Sequence, residues 1–238
     1  MKTIFKCWLK NIEVLIIHYD NRIVGGKMKN ILSNKLSVEE ARSKLFSSIT
    51  SHTGWKFLKS QNCLKRVVGD LVFQIDFFSS KWNQSYERVE IECECQLWCK
   101  KFDRTLNVNS QVGYYKFEPS QSEWWDISDE EKLYFTIEQL CKQMDETILP
   151  LCKDFEDDFL KAAVKLTEET LFNTYHIKLQ FLDFYAGREN IIPLVQAYIN
   201  TLSDVMKQDV ESYKQGDRSK SWMINPSNLK YIIDNNLI

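Results

Sequence analysis

Glycine and proline are scarce in this chain of 238 residues, at seven and four. With aromatics at 13%, that scarcity excludes a collagen-like or disordered polypeptide. Long hydrophobic runs are missing as well. The best of them, around residues 14–17, falls far short of the roughly 20 residues that span a bilayer, so no transmembrane helix is expected. Neither sign of charge dominates: 31 basic and 33 acidic side chains leave a formal charge of −2. A balanced chain has no general electrostatic drive toward nucleic acid or anionic lipid. Histidine occurs three times, as His18, His52 and His176, never within metal-motif distance of a cysteine. No Walker loop, dinucleotide-binding glycine fingerprint, G-x-S-x-G elbow or H-E-x-x-H helix is present, so the sequence supports none of the enzyme classes they mark. No cofactor, metal, nucleic acid or membrane partner is expected.

What is present is the composition of a globular protein, 44% hydrophobic and 27% charged. Lys10 and Glu13 interrupt any secretory signal core and no small-x-small cleavage site follows, which reads as cytoplasmic. The cysteines, Cys7, Cys63, Cys93, Cys95, Cys99, Cys141 and Cys152, are odd in number and lack a disulfide-framework spacing; reduced thiols are the simplest account. Gly25-Gly26-Lys27-Met28 allows two readings. Codons for this tract resemble a ribosome-binding site before a start codon, making residues 1–27 a non-native extension; alternatively it is a Gly-Gly turn in a genuine N-terminal element. Starting at Met28 removes five basic and two acidic residues and takes the charge from −2 to −5.

Local signals become consistent from Ser37. Ser37-Val38-Glu39-Glu40 is a capping box, followed by Val38, Ala41, Leu45, Phe46 and Ile49 at helical spacing, so a helix is expected to about Ser51 before Gly54. Strands follow at Cys63–Val68 and residues 71–78 around a Gly69-Asp70 turn, with Leu71, Phe73, Ile75 and Phe77 on the core face. Residues 88–100 alternate in period two, and a fourth strand is expected at Gln111–Phe117 after a polar loop with Asn107, Asn109 and Ser110. A second capping box, Ser128-Asp129-Glu130-Glu131, opens a helix carrying Leu133, Ile137, Leu140, Cys141, Met144 and Ile148, which Pro150 should stop or kink. Helices are expected at 154–166, 171–186 and 193 to about 214, then a short one after Asn225-Pro226, with breaks at Gly187 and Gly216. The prediction is an α+β fold: an N-terminal helix, an antiparallel meander of about four strands with a return helix, and a mostly helical C-terminal half. Residues 28–150 would form the α+β domain, with 151–238 a helical subdomain packed on it.

The order of capped helix, Gly54-Trp55-Lys56 turn, the strand with Phe73-Gln74-Ile75-Asp76-Phe77, a long alternating strand and a return helix resembles a group of small bacterial domains of unknown function. Immunity proteins of contact-dependent toxin systems are among the look-alikes. The resemblance covers roughly residues 39–152. It implies an α+β fold and supplies no catalytic residue.

Two constellations sit on the long strand. Cys93, Cys95 and Cys99 fall on its core face, where thiols strung along a strand behave as small hydrophobes more readily than as converging zinc ligands. Glu90, Glu92 and Glu94 fall on the opposite face and need basic neighbours or water, with Lys65, Arg66 and Lys116 available. The row reads either as a solvated strand face or, together with Asp76, Trp98 and Trp82, as an acidic, aromatic-bearing face suited to a basic partner protein. Trp124 and Trp125, in a loop, either cover the sheet edge or anchor a partner. Asp154, Glu156, Asp157 and Asp158 around Phe155 and Phe159 read as a helix N-terminus. The sequence favours noncatalytic protein binding through the acidic face, with Asp76, Glu90, Glu92, Glu94, Trp98, Trp124 and Trp125 as the candidate surface. An enzyme with a carboxylate-lined pocket between sheet and helical half, and a structural or oligomerising role, are the alternatives.

Overall fold

The structure is a computed structural model that describes residues 34–102, 111–120, 123–225 and 227–237. The readings of residues 1–27, of the 107–110 loop and of Pro226 lie outside these. Helix α1 (Val38–Thr53) begins as its capping box dictates: the Glu40 N–H donates to Ser37 Oγ at 3.2 Å and the Ser37 N–H donates to Glu40 Oε2 at 2.9 Å. Two otherwise orphaned donors are thereby satisfied. Ala41, Leu45, Phe46 and Ile49 are its buried stripe, and Gly54 caps its end.

The sheet follows as an antiparallel meander of β1 (Lys56–Leu58), β2 (Cys63–Val68), β3 (Leu71–Ser79), β4 (Glu90–Cys99) and β5 (Gln111–Phe117), in that spatial order. A further two-residue strand, β6 (Trp125–Asp126), pairs with the start of β4, beyond the end of its pairing with β5. The four expected strands are all present; β1 and β6 are too short for period-two alternation to announce them. Gly69 makes the β2–β3 turn at φ +54, a left-handed conformation that a side chain would strain. Alternation then sorts the faces. Phe73, Ile75 and Phe77 of β3 lie opposite Leu97, Cys95 and Cys93 of β4, and all six are buried against the helices.

The return helix α2 (Glu130–Glu146) buries Leu133, Thr136, Leu140 and Met144, but its N-cap is Asp129, whose Oδ1 accepts from the Lys132 N–H at 2.9 Å. Ser128, the expected cap, is instead buried, its N–H bonded to Asp126 Oδ1. Pro150 does not end the helix. The break falls at Thr147, and Pro150 lies in the first turn of α3 (Ile148–Asp157), where its missing N–H would have had no partner.

Expected long helices are divided. Residues 154–166 split at Asp158, which caps α4 (Phe159–Lys165); residues 171–186 split into α5 (Glu169–Thr174) and α6 (Leu179–Tyr185). Helix α7 (Arg188–Thr201) carries Pro193 inside it, and Ser203 caps the separate α8 (Asp204–Lys214). Helices α9 (Ser221–Ile224) and α10 (Asn228–Asp234) follow. Gly187 and Gly216 do mark breaks. Among the described residues no helix is long and apolar enough to cross a membrane.

Leu36–Ile238 form one compact unit. Phe73 meets Phe155 of α3 edge-on at 6.2 Å, and Arg66 pairs with Glu156. The α5–α6 connection runs along the edge of β5: the Tyr114 N–H donates to Tyr175 O at 3.0 Å and the Lys178 N–H to Val112 O at 2.8 Å. This covers an edge that would otherwise present unpaired donors and acceptors. Side-chain amides complete other ladders. Asn83 pairs with both backbone groups of Glu90, Gln143 with both of Glu118, and Asn228 bonds Ile177 O and the Leu179 N–H.

Candidate functional site: the outer face of the sheet

The face of β3 and β4 away from the helices is built in rows by the register. Val72 lies opposite Trp98, Gln74 opposite Gln96, Asp76 opposite Glu94 and Phe78 opposite Glu92. On the flanks, Lys65 lies beside Gln74 and Cys63 beside Asp76, while Tyr114 lies beside Gln96 and Lys116 beside Glu94. Exposed Val67, Phe78 and Tyr114 show that this face meets solvent. His176, left-handed at φ 42, stacks on Tyr114 with ring centroids 4.4 Å apart and extends the row beyond β5.

Its acids are not equivalent. Glu92 forms an ion pair with Lys116 at 3.1 Å, and Glu90 one with Arg88 at 2.8 Å. Neither of the other two basic neighbours makes an ion pair in the row: Lys65 bonds Gln61 and acts on Asp76 only at longer range, and Arg66 points to the helical side. Asp76 and Glu94 therefore face each other with no cation in ion-pair contact among the described residues. Each is held by its own glutamine: Gln74 Nε2 donates to both Asp76 carboxylate oxygens at 2.7 and 2.9 Å, and Gln96 Nε2 to Glu94 Oε1 at 2.6 Å. Directly opposed residues have Cβ atoms about 5 Å apart, and two unit charges at that spacing repel by about 1–3 kcal/mol at effective dielectric constants between those of a protein surface and water. Burial raises the Asp76 pKa above the ordinary aspartate value; Gln74 opposes the shift, Glu94 reinforces it and the charge of Lys65 opposes it.

Beside this pair lies a shallow depression of about 250 Å³ lined by Phe78, Glu92, Cys93, Glu94 and Lys116. It is smaller than the roughly 300–1,000 Å³ of small-molecule sites. Since Asp76, Glu92 and Glu94 project away from the helices, they do not line a pocket between sheet and helical half.

The tryptophans separate. Trp98 is half-buried on the outer face, its indole N–H buried without a hydrogen-bond partner among the described residues. Trp125 is in the core, 2% exposed, with its indole N–H donating to Phe117 O at 3.3 Å, and so is not available to a partner. Trp124 is half-buried beside it. Trp82 and Tyr86, in the β3–β4 connection, are the exposed aromatics closest in sequence to the row, at 66% and 57%. Tyr86 carried no signal in the alternation because it lies outside any strand.

Cys93 and Cys95 are fully buried on the core face, and burial pushes both thiols well above the ordinary cysteine value. Among the described residues no group of three His, Cys, Asp or Glu side chains has metal-site geometry. No protein-family model, curated protein or solved structure matches the chain.

Proposed function

We propose that this protein is a noncatalytic binding module that receives a basic protein surface on the outer face of its sheet. The Asp76–Glu94 pair carries the reading: two facing acids, glutamine-braced and with no ion-pair partner among the described residues, are stabilised most by a positive charge from outside. Glu92 and Lys116 form the rim of the same surface, and Trp98 supplies its apolar floor. The resemblance to immunity-like domains in a bacterial cytoplasm accords with this function. A shallow depression on an open face suits protein recognition better than enclosure of a small substrate.

The test is capture from the source organism's extract by wild type and by E92K/E94K. A protein of net positive charge should be retained by wild type, elute with rising salt and be lost on the variant. Equal retention by both would discard the acidic face as the docking surface.

A further inference from the structure

Between β3 and β4 the chain makes a connection of ten residues, 80–89, that exposes two large rings on an ordered backbone. The Ser80 N–H donates to Glu90 O at 3.1 Å, and Asn83 brackets the Glu90 backbone at 2.9 and 2.8 Å. The Tyr86 N–H donates to Leu36 O at 2.9 Å, with Tyr86 held left-handed at φ 67. An aromatic in that conformation is uncommon, and such residues persist where the surroundings over-determine them. Exposed Trp and Tyr on a pre-ordered loop spare a partner the entropy of ordering it, and they are residue types that dominate binding energy elsewhere.

The Trp82 ring already takes a cation: Lys81 Nζ lies 5.0 Å from its centroid. The loop also continues directly from the strand that carries Asp76. Ser80 lies two residues beyond Phe78, and Phe78 two beyond Asp76, in steps of about 7 Å, which is also the spacing of alternate side chains in an extended segment.

Resting on the reading of the outer face above, we infer that the β3–β4 loop is the anchor of that surface and that its occupant is an arginine-rich protein segment. One guanidinium lies on Trp82 in place of Lys81, and a second reaches the Asp76–Glu94 pair. Arginine fits both positions better than lysine, because its planar guanidinium stacks on rings and forks onto carboxylates. The same acids repel a nucleic-acid backbone.

The experiment is fluorescence polarisation with labelled deca-arginine and deca-lysine peptides in 150 mM salt, using the full chain, W82A, Y86G and D76N/E94Q. Trp82 is exposed and glycine tolerates the backbone of Tyr86, so both loop variants should melt as wild type does. Wild type should prefer deca-arginine. W82A should weaken it about tenfold and level the preference, Y86G about threefold, and D76N/E94Q should weaken both peptides and flatten the salt dependence. If W82A and Y86G bind as wild type while D76N/E94Q weakens, the anchor is overturned and the acidic-face reading stands. If W82A weakens binding and D76N/E94Q does not, the anchor stands and that reading fails. No binding by wild type overturns both.

Discussion

At Asp76, burial raises the carboxyl above its ordinary value; Gln74 opposes the shift and the facing Glu94 adds to it. At Asp126 burial acts in the same direction, but Lys132 Nζ at 2.6 Å and the Ser128 N–H at 2.9 Å outweigh it and the pKa falls below the ordinary value. The two aspartates therefore couple to stability with opposite signs. The native state binds the Asp76 proton more tightly than the unfolded chain, so stability from this site grows as pH falls through the raised value and is lost above it. Asp126 contributes above the unfolded aspartate value and loses its contribution as pH falls through the lowered one. D76N should thus melt higher than wild type at pH 8, with the gap closing by pH 4. D126N should melt lower at pH 7, with its deficit shrinking toward pH 3. Thermal scans across pH check both, and a D76N gap that widens on acidification contradicts the assignment.

At the scale of elements, side chains finish what the backbone leaves open. Gly113 of β5 sits under the α5–α6 connection, where an added Cβ would lie 2.6 Å from Ile177 Cδ1 and 3.0 Å from Tyr175 O. Because one neighbour is backbone, G113A should destabilise by about 1–3 kcal/mol, measured by urea unfolding. N83A removes both bonds that bracket Glu90 and should cost about 1–3 kcal/mol, with faster hydrogen exchange at the Glu90 amide. Exchange at Glu90 unchanged from wild type would show that the strand end is held without Asn83. These devices also mark where sequence reading stops. The capping box at Ser37 and the period of two in β4 involve neighbours in the chain and are legible. The division of 171–186 at Tyr175–Lys178 depends on an edge strand some 60 residues earlier in the chain, which no local pattern reports.

Across the whole molecule, one core joins sheet and helices. Cys93, Cys95 and Cys99 lie on its inner face with no exposed surface worth the name, at 1%, 0% and 0%. Native-state alkylation should therefore leave all three intact until the protein opens globally, so their modification rate should follow the unfolding equilibrium as urea is added. Modification faster than unfolding would reveal a local opening of β4. On the opposite face of the same strand the near-neutral total of −2 hides a local arrangement: Glu90 and Glu92 form ion pairs with Arg88 and Lys116, while Asp76 and Glu94 have no ion-pair partner among the described residues.

Sequence alone determined the α+β class, the four main strands, the faces of β3 and β4, and the placement of α1 and α2, because hydrophobic period and capping are interactions between residues close in the chain. It also brought Asp76, Glu92 and Glu94 to one face of two strands. Only the tertiary structure decided which acids form ion pairs among the described residues, since ion pairing depends on register with β5 and on where Lys65 and Arg66 turn. It likewise moved Trp125 into the core and left Trp82 and Tyr86 exposed, because burial is set by what packs against a residue rather than by the residue itself.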